Sequence, residues 1–191
     1  MIPILLLAAG KSSRMGRRDK LLELIDGIPL LALIAERALK SGPTYVTLPS
    51  ATHSRRAVLP NGATVVPVSG EMSDSIKTGI AALPAEAEGV LLLPADMPDI
   101  TADDIRKVIA AVQETDALIV RACTANGTAG HPVYFDNSLF PKLAKLEGDR
   151  GAFHIITALK DKTHLVRLDG DRARLDLDTP EDWDRYRNRI S

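Results

Sequence analysis

The chain is 191 residues long, 45% hydrophobic and 26% charged, with a formal net charge of −1. That length buries one substantial core, so a single domain over residues 1–191 is expected, and the balanced charge excludes a general nucleic-acid binder. One cysteine, Cys123, excludes an internal disulfide and suits a reducing compartment.

Residues 2–7 are a continuous apolar run. It has no basic segment ahead of it and is too short to span a bilayer, so it reads as a buried strand of a cytoplasmic protein. Helical spacing follows at residues 29–40, with Leu30, Leu33 and Ile34 on one face. Residues 44–48 and 64–68 read as strands, and residues 73–83 as a helix with Ile76, Ile80 and Leu83 in register. A strand at 90–93 precedes a helix at 101–114, with Thr101 as N-cap and Asp104 three residues on. Strands at 117–120 and 133–135, helices at 137–146 and 151–159, and strands at 164–168 and 174–177 come next. The last helix spans 180–189, with Pro180 in its first turn. Strands alternating with helices predict an α/β fold: a three-layer, Rossmann-like, mostly parallel sheet covered on both faces. Ligands of such sheets lie beyond the carboxyl ends of the strands.

The first such end is rich in cations. Lys11, Arg14, Arg17, Arg18 and Lys20 surround one acid, Asp19. Gly10-Lys11-Ser12 is not a Walker loop, because Leu5 stands where the first glycine belongs, and no G-x-G is near. Small residues at Ala8-Ala9-Gly10 still let the backbone approach a ligand, and the cations suit a triphosphate. The alternative is a solvated basic loop. A second end carries Asp96 between Pro94 and Pro98, either a Mg²⁺ ligand or a turn cap. Asp99, Asp103 and Asp104 suit the next helix N-terminus. At a third end, alternation points Asp176 and Asp178 to one side. There Asp178 is either a second metal ligand or, like Thr179, a cap of the last helix.

Taken in order, these segments resemble the MobA-like nucleotidyltransferases, and within them the molybdenum cofactor cytidylyltransferases. The matching elements are Leu7-Ala8-Ala9-Gly10 with Arg14-Met15-Gly16 and Lys20-Leu21-Leu22, then Met72-Ser73 with Ser75, and Pro94-Ala95-Asp96-Met97-Pro98. Gly130-His131-Pro132, Gly148-Asp149-Arg150-Gly151 and Asp178-Thr179-Pro180-Glu181-Asp182 complete the series over nearly the whole chain. The resemblance implies transfer of CMP from CTP to the terminal phosphate of molybdopterin, with release of pyrophosphate. Leu7, Ala8, Ala9 and Gly10 would hold the nucleotide, Ser75 would lie by its sugar or base, and Arg14 and Lys20 would meet the phosphates. Asp96 would carry Mg²⁺, with Asp178 as partner ligand, making Arg14, Lys20 and Asp96 the catalytic set. His131 and Asp149, in the loops around 130 and 148–151, would face the pterin, and a molybdoenzyme would be the further partner.

Two features depart from the pattern. Phe153 stands where the family often has a basic residue, which moves contact with an anionic acceptor to Arg150 or His154. Asp19-Lys20 is similar to the guanylyltransferase branch, whereas Leu7-Ala8-Ala9-Gly10 replaces that branch's Leu-Ala-Gly-Gly. The alternatives are therefore a guanylyltransferase or other nucleotidyltransferase on the same fold, or a non-catalytic molybdenum-cofactor binding or insertion factor. His53, His154 and His164 have no zinc-ligand spacing with Cys123, which reads as a core residue, and Trp183 reads as packing.

Overall fold

The first apolar run forms β1 (Ile4–Leu7), an interior strand of the sheet. A computed structural model describes residues 1–16, 18–148 and 151–190. The further strands are β2 (Leu24–Ile25), β3 (Ile28–Pro29), β4 (Thr44–Leu48), β5 (Thr64–Pro67), β6 (Gly89–Pro94), β7 (Ile119–Cys123), β8 (Ala129–Asp136) and β9 (Thr163–Arg167). The helices are α1 (Leu30–Leu39), α2 (Met72–Ala81), α3 (Ala102–Gln113), α4 (Phe140–Leu143), α5 (Phe153–Ala158) and α6 (Pro180–Ile190).

Seven strands make one sheet in the order β5-β4-β1-β6-β8-β7-β9. Every neighbouring pair is parallel except those of β8, which runs antiparallel to both β6 and β7. The expected mostly parallel α/β architecture is observed. Alternation divides the core between the two faces. Ile4, Leu6, Leu91 and Leu93 pack with Leu30, Ile34, Ile105, Val108 and Trp183 on one side. Leu5, Val90 and Leu92 pack with Ile76, Leu139, Leu143 and Ala152 on the other. Each fully buried Leu or Ile contributes roughly 1.5–3 kcal/mol, so both helical layers are held firmly. No helix among the described residues is long and apolar enough to cross a membrane.

Two sequence expectations need correction, and one hairpin was not expected. Residues 174–177 join no ladder; they extend beside the sheet, tied by Leu177 N–H to the Asp96 carbonyl at 3.0 Å and by the Ala173 carbonyl to His131 N–H at 2.8 Å. The helix expected at 137–146 is a 3-10 turn at Asn137–Leu139 followed by the short α4, which carries Pro141 in its first turn. Residues 24–29 form the hairpin β2–β3, turned by Asp26 and Gly27, both at positive φ (49° and 80°). Asp-Gly with two positive φ angles is the signature of a tight hairpin turn.

Candidate active site

The pairing register places the site. Leu7 at the end of β1 pairs with Thr47 of β4 on one side and with Pro94 of β6 on the other. Three segments therefore leave the sheet side by side: the basic loop after Leu7, the segment after β4, and Asp96 after β6. The basic loop (Leu7, Ala9, Gly10, Lys11, Arg14, Lys20 and Leu21) and the end of β6 (Pro94 and Asp96), with Gly70 and Glu71 after β5 and Met72 and Ser75 of α2, enclose a cleft of about 510 Å³.

At its floor lies an ion-pair cluster. Lys20 Nζ donates to Asp96 and, at 2.6 Å, to Asp178 Oδ1, while Arg14 pairs with the other oxygen of Asp178. Burial alone would lower the Lys20 ammonium; the two carboxylates outweigh it and hold Lys20 above its ordinary range, so it stays charged. Partial desolvation, then the charges of Asp96 and Asp178, push the Asp176 carboxyl up. Asp176 and Asp178 thus face one cluster, as alternation implies. Asp178 is released to the site because Thr179 caps α6 instead. Thr179 Oγ1 accepts from Asp182 N at 3.2 Å, and Asp182 Oδ2 accepts from Thr179 N at 2.9 Å.

The other expected residues divide. Leu7, Ala9, Gly10 and Ser75 line the cleft. Ala8 is turned inward: its N–H donates to Thr47 Oγ1 at 3.1 Å and its carbonyl accepts from Arg55 at 2.6 Å. His131 lies in an adjoining cavity, at the amino end of β8. Asp149 and Arg150, like Arg17, lie outside the described residues. Asp104 caps α3 as expected, but Asp99 instead binds Arg189 at 2.6 Å and the Tyr186 hydroxyl at 3.1 Å.

Sequence reading missed Arg55. It sits in a 3-10 turn (Ser54–Val58) after β4, only 2% exposed. It clamps Asp19 with Nε and an Nη, both at 2.8 Å, and also reaches Ser12 Oγ at 3.1 Å. With the Ala8 carbonyl, this single guanidinium holds the loop at its start, at the left-handed Ser12 (φ 51°), and at the residue before Lys20. Burial would raise the Asp19 carboxyl, but the Arg55 hydrogen bond and charge hold it below the usual range. An arginine inside an otherwise ordinary turn carries no local signal; a buried partner for Asp19 shows only in three dimensions.

The donor set suits a hard divalent cation. Asp96 Oδ1 is buried without a hydrogen-bond partner, a free carboxylate lone pair beside Asp178. Among the described residues no group of three His, Cys, Asp or Glu side chains could hold a metal. Two carboxylates, completed by phosphate oxygens and water, is the way Mg²⁺ is commonly held.

The MobA-like NTP transferase domain profile matches residues 4–163. The chain belongs to the MobA-like NTP transferase family. As a member it is a nucleotidyltransferase, and its relatives agree over nearly their full lengths. The purine catabolism protein PucB of Bacillus subtilis is 28% identical over 97% of this chain and 95% of that protein. A molybdenum cofactor guanylyltransferase of Vibrio atlanticus is 29% identical over 95% of this chain and 93% of that one. Among solved structures, Rv0371c of Mycobacterium tuberculosis in complex with manganese superposes with a TM-score of 0.84 at 27% identity, covering 98% of each chain.

Proposed function

We propose that this MobA-like domain, occupying residues 1–191, works in the cytoplasm as a cytidylyltransferase that moves CMP from CTP to the terminal phosphate of molybdopterin. The observation that carries the reading is Lys20 Nζ held between Asp96 and Asp178 at the floor of a cleft bordered by Gly10 and Arg14. In the reaction an acceptor phosphate oxygen bonds to the α-phosphorus of CTP. The bond from that phosphorus to the β-bridging oxygen breaks, and pyrophosphate leaves with the electron pair. A phosphate monoester is already an anion at neutral pH, so no strong protein base is needed and positioning carries most of the catalysis. Ala9 and Gly10 bring backbone close to the nucleotide, and Ser75 faces its sugar or base. Arg14 and Lys20 turn from the carboxylates to the β- and γ-phosphates, offsetting the charge that builds on pyrophosphate. Asp96 and Asp178 would hold Mg²⁺, which when bound would supply polarisation of the α-phosphate. His131 and the loop at 148–151 face the pterin, and a molybdoenzyme receives the product.

Leu7-Ala8-Ala9-Gly10 supports cytidine, whereas the guanylyltransferase relative from Vibrio atlanticus supports GTP as a second reading. The manganese complex of Rv0371c supports a divalent ion. Thermal shift with CTP, GTP, ATP and UTP, each with and without Mg²⁺, tests both readings, because a ligand of the folded state raises its stability by RT ln(1 + [L]/Kd). A Mg²⁺-dependent shift specific to CTP is expected; a GTP-specific one transfers the protein to the second reading. Pyrophosphate release in the presence of molybdopterin separates an enzyme from a cofactor-binding factor. Asp96→Ala is expected to abolish that release with the fold intact, and near wild-type turnover at saturating Mg²⁺ removes Asp96 from the metal site.

A further inference from the structure

Beside the cleft, and sharing Leu7, Met72 and Pro94 with it, is a second cavity of about 270 Å³. Ile76, Leu92, Val133 and Phe135 make its walls apolar. Phe153, 59% exposed, and Met72, 40% exposed, stand at its border. Only two lining side chains are polar among the described residues, Arg121 and His131.

Arg121 lies on β7, where the register with β8 shifts between Arg121 and Cys123. Such an irregularity re-aims a side chain at a strand end. Its neighbours Val120 and Ala122 enter the opposite core, so Arg121 falls on the face of Ile119, above Leu92 and Val133. Arg121 Nε donates to the Gly130 carbonyl at 2.7 Å. Among the described residues no carboxylate pairs with this guanidinium, although it is half-buried. Burial, and then the nearby Arg174 charge, lower its pKa, so the neighbourhood is electropositive and uncompensated. His131 adds no counter-charge. Burial, then Arg121 and Arg174, push its imidazole down to about 4, leaving it neutral, and its buried Nδ1 has no hydrogen-bond partner.

A half-buried cation without a counter-ion is costly unless a ligand completes it. We infer that Arg121 binds an anionic group of the second substrate, whose flat heteroaromatic body fills the apolar cavity and meets His131 at its edge. The inference rests on the function proposed above, with the nucleotide in the adjoining cleft and a pterin acceptor that supplies the flat heteroaromatic body. The guanidinium fixes the anion, the apolar walls take the ring faces, and the neutral imidazole exchanges a hydrogen bond with a ring nitrogen. Acceptor specificity is thereby set on β7, away from the nucleotide loop.

Fluorescence titration with pterin-6-carboxylate and with unsubstituted pterin tests this without turnover. The wild type is expected to prefer the carboxylate by about ten- to a hundredfold, the range of one charge-assisted hydrogen-bonded contact. Arg121→Gln is expected to erase the preference, and Arg121→Lys to retain part of it, while the nucleotide-dependent thermal shift of both variants stays that of the wild type. Equal binding of the two pterins by the wild type, or a preference that survives in Arg121→Gln, overturns the assignment. A wild type that shows no nucleotide shift but keeps an Arg121-dependent preference sinks the nucleotide reading of the cleft instead.

Discussion

Replacing Arg55 by lysine keeps the charge and removes the fork. The guanidinium makes four hydrogen bonds between 2.6 and 3.1 Å, to both Asp19 oxygens, Ser12 Oγ and the Ala8 carbonyl. One ammonium nitrogen cannot reach points on three separate turns of the loop, so at least two of these bonds are lost. A buried acceptor left unmet costs about 1–3 kcal/mol; because Asp19 is 21% exposed and keeps some water, two losses in the lower part of that range put Arg55→Lys at about 2–4 kcal/mol. For a chain of this size that lowers Tm by roughly 5–15 °C. The loop also loses its preset shape, so nucleotide binding must then order it, and CTP affinity is expected to fall about tenfold beyond the loss of stability. Differential scanning fluorimetry with and without Mg-CTP reads both effects. Asp19→Asn in the Arg55→Lys background is expected to add little, because both changes break one network. A Tm within a degree of wild type, with unchanged CTP affinity, refutes the claim that Arg55 shapes the loop.

Other consequences follow from the same geometry. Lys20→Gln removes the cation that Asp96 and Asp178 share, so turnover is expected to collapse while Mn²⁺ alone binds about tenfold tighter than to wild type, as read by electron paramagnetic resonance; equal or weaker binding contradicts the shared-cation picture. His131, with its pKa lowered to about 4 against an ordinary value of 6.5, makes the unfolded chain bind more protons between those pH values. Its contribution is complete above pH 6.5 and is lost as pH falls to 4, in total about 3 kcal/mol. His131→Asn should flatten that part of the stability curve measured by urea unfolding, and parallel curves refute it. Gly130→Ala places a Cβ 1.8 Å from the Ala173 carbonyl oxygen, a backbone atom that cannot step aside alone. A loss of about 1–3 kcal/mol is expected, with turnover falling further because residues 173–178 must shift; wild-type Tm and turnover would show that this crossing is loose.

The sequence made the strands of the parallel half legible, since continuous apolar runs such as residues 90–93 are what two covered faces demand. The ends of apolar segments pointed to Asp96 and Asp178, while the family resemblance singled out Lys20 from the other loop cations; the three meet in one ion-pair cluster. What escaped it was non-local. The antiparallel setting of β8 has no mark in Val133–Phe135, whose apolar residues suit either direction. The alternation at 174–177 does orient Asp176 and Asp178, yet the segment makes isolated bonds to Asp96 and His131 rather than a ladder. Arg55 and Arg121 lie in a turn and a strand with no motif, and their meaning comes from what they face. The basic loop looked like a free positive patch, yet Arg14 and Lys20 are paired with Asp178 and Asp96, and Arg18 stands 3.7 Å from Glu23.

The central ion pairs join residues 76 and 158 positions apart in the chain. Contacts of such separation close late in folding, because the loop entropy must be overcome before they form. On the proposed roles of Asp96 and Asp178, turnover is therefore expected to report the whole chain's assembly: a species with the β1–β6 region formed but residues 171–190 undocked holds Asp96 and lacks Asp178. In a refolding experiment, activity should return with the slowest structural phase, and mild denaturant that frees α6 should silence the protein while most of its sheet remains.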